Sequence, residues 1–212
     1  MKQLHLVRHG ESASNAGLAT DSHDTYGITD LGRSQAEHFA KGWSDAPPGL
    51  VVSSRYVRTQ ETARPFMQRF PEVPHETWDV QEWTQLCPKH YRGTSHTQRL
   101  PKVRAYYDRR DPHYCDGEGA ESFADLFKRV HAMLTKAEKR SEDVIAMFTH
   151  GHFMRAVLWS LLVESHPDTP KSMGRFVQFT DAFVIPNLAM LTLRLHHEQW
   201  LPGRLRRLPT AS

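Results

Sequence analysis

The apolar and polar positions mark out short strands and longer helices. Leu4-His5-Leu6-Val7 is a β-type run that stops at Arg8-His9-Gly10-Glu11, which reads as a strand feeding a loop. After a polar stretch containing Asn15, Asp21, Ser22 and Asp24, Thr29 offers an N-cap to a segment in which Ala36, Phe39, Ala40 and Trp43 recur at helical spacing. Pro47-Pro48-Gly49 breaks the chain before Leu50-Val51-Val52, a second short strand that ends in Ser53-Ser54. From Arg55 onward Thr59, Ala63, Phe66, Met67 and Phe70 keep a 3.6-residue period, and Pro65, which lacks an amide donor, predicts a boundary near Arg64.

The stretch from Thr84 to Glu118 has no clear period. It mixes Pro88, Gly93, Pro101, Pro112 and Gly117 with the basic residues Lys89, His90, Arg92, His96, Arg99, Lys102 and Arg104, and reads as an inserted, partly helical, basic flap over about 84–120. Ser122 and Asp125 then cap a helix to Lys139, with Phe123, Leu126, Phe127, Val130, Met133 and Ala137 on one face. Val144-Ile145-Ala146-Met147-Phe148 is apolar throughout, as in a strand covered on both faces. Phe153 to Leu162 suits a buried helix whose exit is marked by Pro167 and Pro170, and two β-rich runs follow, Phe176 to Ile185 and Leu188 to Leu195, before a basic tail with Arg204, Arg206 and Arg207 that reads as a solvated end. Strands alternating with helices imply an α/β fold, three layers α/β/α around a mostly parallel central sheet. Neither repeats nor a linker divide the 212 residues, so the expectation is a single domain over 1–212.

Composition narrows the function rather than naming it. With 39% apolar and 24% charged residues the chain can build a core, which excludes disordered and low-complexity classes. The net charge of +3 is too small for a general nucleic-acid binder and suits a protein handling small anions. No apolar run approaches the roughly 20 residues of a membrane span, and Met1 to Val7 does not resemble a secretory signal. Two cysteines, Cys87 and Cys115, cannot make a disulfide framework. They read as free thiols in a cytoplasmic protein without nucleic-acid or membrane partners.

Two apolar strands each end in a histidine, Val7 before Arg8-His9-Gly10 and Phe148 before Thr149-His150-Gly151, and open α/β sheets place ligands at the carboxyl ends of their strands. A third strand ends just before Arg55 and Arg58, so one rim would gather several cations. Such a rim suits a tetrahedral phosphate, whose oxygens match arginine forks. Gly10 and Gly151 allow close backbone approach, and the helix after Gly151 could aim its N-terminus at the anion.

These segments together resemble the histidine phosphatase superfamily, which includes phosphatases and cofactor-dependent phosphoglycerate mutases. Arg8-His9-Gly10-Glu11-Ser12-Ala13-Ser14-Asn15 is similar to its opening motif, Thr29-Asp30-Leu31-Gly32 with Gln35-Ala36 to its first helix start, and Ser54 to Ala63 to its second-arginine segment. Glu121-Ser122-Phe123 and Thr149-His150-Gly151 match further motifs, and Asn187 and Trp200 fall where the closing strands carry such residues. The resemblance implies that His9 is the nucleophile and becomes a phosphohistidine, that Arg8, Arg58 and His150 hold the phosphoryl group, and that Asn15 and Gly151 support its binding. It also implies a glutamic acid that protonates the leaving alcohol and then activates water. Glu82 is the positional match, but Trp83-Thr84-Gln85-Leu86-Cys87-Pro88 departs from the family pattern, and Glu76, Glu118 and Glu121 remain open.

The expectation is therefore a phosphomonoesterase for a small phosphorylated metabolite, with neither cofactor nor catalytic metal. Its rivals are a mutase-type phosphoryl transferase and a non-catalytic phosphate-binding module. His150 and His152 have a His-x-His spacing that metals use, but Phe153 and Met154 add no ligand, so His152 reads as a helix-start residue. The flap cations Lys89, His90, Arg92 and Arg99 read as solvated charges. The oligomeric state is not legible.

Overall fold

The computed structural model describes residues 1–163 and 165–207. In chain order it contains β1 (Gln3–Arg8), α1 (Asp30–Gly42), β2 (Leu50–Ser53), α2 (Val57–Arg69), β3 (His75–Thr77), α3 (Pro88–Tyr91), α4 (His96–Asp108) and α5 (Phe123–Glu138). Then follow β4 (Val144–Thr149), α6 (Gly151–Leu162), α7 (Pro170–Ala182), β5 (Ala189–His196) and β6 (Gln199–Arg207). The sheet order is β3-β2-β4-β1-β5-β6. β3, β2, β4 and β1 run parallel, while β5 pairs antiparallel with β1 and β6 antiparallel with β5.

Alternation along the central strands builds the three layers. Leu4, Leu6, Val52, Ile145 and Met147 point into one core with Phe123, Val130, Phe153 and Val157 from α5 and α6. Their neighbours Val7, Val51, Ala146 and Phe148 point into the other, against Phe39 and Ala40 of α1 and Ala63 and Phe66 of α2. β4 is buried along its whole length, which is why its sequence lacks polar alternation. β1 and β4 pair in register from Gln3 with Val144 to Arg8 with Thr149, so the residues that follow them, His9 and His150, leave the sheet side by side.

Four expectations are corrected. Phe176 to Ile185 is not a strand: α7 covers most of it, because Phe176, Phe179 and Phe183 recur at helical spacing, while Thr169 caps the helix and Pro170 occupies its first turn. Of the two prolines read as a helix exit, Pro167 lies in the connection after α6, whereas Pro170 opens the next helix. α2 does not stop near Arg64 but runs through Pro65 to Arg69. An interior proline costs about 3 kcal/mol, which the burial of Phe66, packed on Phe39, Trp43 and Phe148, offsets by about 1.5–3 kcal/mol. Arg204, Arg206 and Arg207 belong to edge strand β6; Arg204 and Arg207 are exposed, as expected of a solvated end, whereas Arg206 is half-buried and pairs with Asp45. Arg99 of the flap is buried, not solvated, donating from Nη2 to Thr20 Oγ1 at 2.6 Å and from Nε to Thr94 Oγ1 at 2.9 Å. Thus it ties the flap to the loop after β1, where Thr20 and Thr94 also form an isolated bridge. Lys89 and Arg92 are exposed, as expected.

The loop after β1 is pinned by glycines. A Cβ on Gly10 would lie 2.7 Å from the Gly32 carbonyl oxygen, and one on Gly32 would lie 2.1 Å from that of Glu11. Neither position has room for a side chain, so the start of α1 presses directly against the backbone that carries His9. Among the described residues, no helix is long and apolar enough to cross a membrane.

Candidate active site

His9 is 4% exposed and sits where β1 ends, its amide donating to the Thr149 carbonyl at 3.0 Å. Its Nδ1 lies 2.7 Å from the carbonyl oxygen of Gly10, so in the neutral ring Nδ1 carries the proton and donates it, and Nε2 keeps its lone pair. Burial first, and then the positive charges of Arg58 and Arg8, hold the imidazole well below its ordinary pKa, so it is neutral at pH 7. The surrounding loop is fixed by the Gly10 amide donating to Thr62 Oγ1 (3.0 Å) and by Asn187 Nδ2 donating to the His9 carbonyl (2.8 Å). Asn187 Nδ2 also reaches Asn15 Oδ1 at 3.1 Å, and that oxygen accepts from the Ser12 amide and hydroxyl. Asn15 therefore buttresses the His9 loop through its carbonyl oxygen and is itself exposed.

The His150 ring lies 5.2 Å from that of His9. A chain of hydroxyls settles its tautomer. Thr59 donates to the Tyr56 carbonyl at 2.7 Å and so accepts from Ser54 Oγ, which accepts from the Tyr56 amide and, at 2.8 Å, from His150 Nε2. With Nε2 the donor, Nδ1 of neutral His150 is a bare acceptor. Burial, followed by the charge of Arg58, keeps this ring too well below its ordinary pKa. His150 is thus neutral in this state, not a standing cation.

Arg58 is 1% exposed, with its guanidinium carbon 4.5 Å from the Tyr26 ring centroid and 4.7 Å from that of Tyr56, and it donates to the His23 carbonyl. Arg8 donates through Nη1 to the Ile185 carbonyl at 2.5 Å. A Cβ on Gly151 would stand 3.4 Å from Arg8 Nε, so a larger residue there would crowd the guanidinium. Arg8 Nε, Arg58 Nε and His150 Nδ1 are buried without a hydrogen-bond partner, three of five such side-chain atoms among the described residues. Buried polar nitrogens left unpaired cost about 1–3 kcal/mol each, and the charge of Arg58 bears on both Arg8 and His150.

The four candidate acids separate by position. Glu82 follows β3 and is anchored at the start of α6, accepting from the amides of His152 (3.1 Å) and Phe153 (3.2 Å) as well as from Trp83 (3.1 Å). The α6 N-terminus therefore holds this carboxylate, not an anion from outside. Burial alone would raise the Glu82 pKa. The hydrogen bond with His152 and the positive charge of Arg58 outweigh it and hold the carboxyl well below its usual range. Thr149 Oγ1 donates to the Val80 carbonyl at 2.6 Å and so ties the Glu82 loop to the end of β4. Glu76 instead pairs with Arg140 at the sheet edge, Glu121 forms a two-pronged pair with Arg129 at 2.5 and 2.6 Å, and Glu118 is an exposed flap residue.

The profile of the histidine phosphatase superfamily (branch 1) matches residues 4–201. The chain belongs to this superfamily. It is an enzyme of the phosphatase class. It is 26% identical over 176 residues to phosphoserine phosphatase 1 of Hydrogenobacter thermophilus, which covers 76% of this chain and 77% of the relative. It is 27% identical over 176 residues to the glucosyl-3-phosphoglycerate phosphatase of Mycolicibacterium vanbaalenii, covering 76% and 75%. Among solved structures, the α-ribazole phosphatase from Shigella flexneri shares its fold with a TM-score of 0.74 at 18% identity, over 99% of this chain and 98% of that one.

Some residues that line the candidate site were not singled out from sequence. Tyr26 lies in a polar stretch with no period to reveal it, and Ser54, Tyr56 and Thr62 were noted only as parts of a motif. Arg155 had a signal, four residues after Gly151 and so on the same helix face. Its guanidinium lies beside Arg8, and burial, partly countered by Glu82, lowers its pKa. Arg55 is exposed, with its guanidinium 5.8 Å from the Tyr56 ring. Trp200 belongs to the core, donating to the Leu134 carbonyl at 3.2 Å.

Proposed function

We propose that this protein hydrolyses a small phosphate monoester in two steps through a phosphohistidine on His9. The observation that carries the reading is the convergence of three unpartnered buried nitrogens, on Arg8, Arg58 and His150, around an imidazole whose free Nε2 is neutral and nucleophilic. In the first step His9 Nε2 attacks phosphorus, the bond from phosphorus to the ester oxygen breaks, and Glu82 gives that oxygen a proton. In the second, water passes a proton to Glu82 and attacks phosphorus, the bond from phosphorus to nitrogen breaks, and inorganic phosphate leaves. Arg8 and Arg58 neutralise charge on the equatorial oxygens in both steps. Gly151 keeps space for Arg8, and Asn15 holds the His9 loop through Asn187. Phosphoserine and glucosyl-3-phosphoglycerate, named in two relatives, head the substrate panel.

The test is rapid quenching of the wild-type enzyme with a substrate labelled in its phosphoryl group. Label should enter the protein as an acid-labile, base-stable adduct and leave as inorganic phosphate. Absence of the adduct during turnover would refute the mechanism, and label returning to an organic alcohol would assign the chain to transferases.

His150 supplies a second expected result. For its Nδ1 to donate to a bound oxyanion the ring must be protonated, and the anion's charge raises its pKa toward that state. Between the low pKa of the free ring and the higher one of the complex, binding takes up a proton, so affinity falls as pH rises, up to tenfold per unit for each proton. Sulfate, which does not titrate near neutrality, is the probe. Calorimetry in buffers of differing ionisation enthalpy should show proton uptake that drops by one in His150→Gln. Uptake unchanged by that substitution would disprove the assignment.

A further inference from the structure

The flap carries a second cluster of chemistry-bearing side chains that the phosphatase reaction does not use. Cys87, buried at 6% exposure, caps α3; His90 lies on that short helix, three residues on; and Asp116 approaches from the far end of the flap. One donor atom from each lies within 4.8 Å of the other two. Cys87 Sγ is 3.6 Å from His90 Nδ1, and Asp116 Oδ2 is 2.6 Å from the same nitrogen.

We infer that Cys87, His90 and Asp116 form a zinc site that staples the two ends of the flap. Zinc bonds of about 2.3 Å to sulfur and 2.0–2.1 Å to nitrogen, at a tetrahedral angle, require a sulfur-to-nitrogen separation of about 3.6 Å. The Cys87 and His90 donors already stand at that separation, on a Cys-x-x-His spacing. Asp116 Oδ2 must withdraw from His90 Nδ1 by about 0.8 Å, replacing their hydrogen bond with two bonds to the metal. On loading, the Cys87 thiol releases its proton and the neutral His90 ring keeps one on Nε2. Thiolate, carboxylate and Zn²⁺ then sum to zero charge, which limits repulsion from Lys102 and Arg109 in the adjoining pocket.

Supporting contacts orient the ligands. The Cys87 amide donates to Asp116 Oδ2 at 2.9 Å, and Tyr114 OH donates to Asp116 Oδ1 at 3.2 Å. His90 and Asp116 line a surface pocket with Tyr106 and Tyr114, which leaves the fourth coordination position for water. The site goes beyond the phosphatase reading and does not depend on it. No short-range spacing announces the site, because Asp116 is remote from Cys87 and His90 in the chain.

The test uses chelator-stripped full-length protein titrated with Co²⁺ as the spectroscopic probe and with Zn²⁺ in competition. One equivalent of Co²⁺ should give an intense tetrahedral visible spectrum and a thiolate-to-cobalt charge-transfer band, both displaced by Zn²⁺. Cys87→Ser should abolish the band, and His90→Gln, at a half-exposed position that leaves the fold intact, should weaken binding by about a hundredfold or more. Cys115→Ser and His150→Ala should leave binding unchanged. Zn²⁺ should raise the Tm of the wild type and not that of His90→Gln. Absence of the band in folded wild type, its persistence in Cys87→Ser, full affinity in His90→Gln, or loss of binding in His150→Ala would each overturn the site.

Discussion

Replacing His9 by alanine should lower kcat by about 10³- to 10⁶-fold, the range expected when a covalent nucleophile is deleted while the binding groups remain. The substitution removes the neutral Nε2 whose lone pair is free for attack: Nδ1 is tied to Gly10, and burial with Arg58 and Arg8 keeps the proton off Nε2. Arg8, Arg58 and His150 keep their own anchors, at Ile185, His23 and Ser54, so sulfate should still bind within about tenfold of wild type. The decisive comparison sets turnover and the acid-labile adduct beside sulfate affinity in the same variant. Loss of turnover and adduct with binding retained separates a nucleophile from a phosphate ligand. Residual activity near wild type would end the case for His9, and a wild type that binds sulfate but never forms the adduct would make the chain a binding module.

Glu82→Gln should lower kcat by about 10²- to 10⁴-fold on alkyl phosphates, the contribution of a positioned general acid and base. On 4-nitrophenyl phosphate, whose leaving group needs no proton, the first step should survive while the second slows, so that the phosphoenzyme accumulates. Glutamine can still accept from the His152 and Phe153 amides, which keeps the variant folded. The pH profile has a sign that follows from the site. In the free enzyme the hydrogen bond with His152 and the charge of Arg58 hold the Glu82 pKa well below its ordinary value, so this carboxyl is ionised at neutral pH. The proton it donates must therefore arrive with the substrate, whose second phosphate pKa is about 6. Consequently kcat/KM should fall as the pH rises above about 6, and Glu82→Gln should flatten that fall by one proton. A wild-type kcat/KM that climbs above neutrality, or full alkyl phosphate turnover by Glu82→Gln, would remove Glu82 from the role.

Much of the frame was written in local pattern. The wholly apolar β4, the capped stripe of α5 and the strand-end placement of His9 and His150 follow from periods and caps that act over a few residues. The errors arose where two local signals compete. At Thr169-Pro170 the proline could close one helix or start the next, and only the packing of Phe176 among Trp159, Phe123 and Phe127 selects the second reading. At Pro65 propensity argued for a break, and core burial of Phe66 prevailed.

By itself the sequence determined most of the alternation of elements and the two histidines at strand ends, because each is a matter of residue type and short-range spacing, while the resemblance of its motifs left Glu82 as one of four candidate acids. Tertiary structure decided the rest. It paired Glu76 and Glu121 with arginines and placed Glu82 on the amides of α6, made both histidines neutral by burying them beside arginines, stacked Arg58 between Tyr26 and Tyr56, and carried Asp116 to Cys87 and His90. Desolvation and charge coupling depend on through-space distance, and residues far apart along the chain acquire that distance only when the sheet and flap close around them.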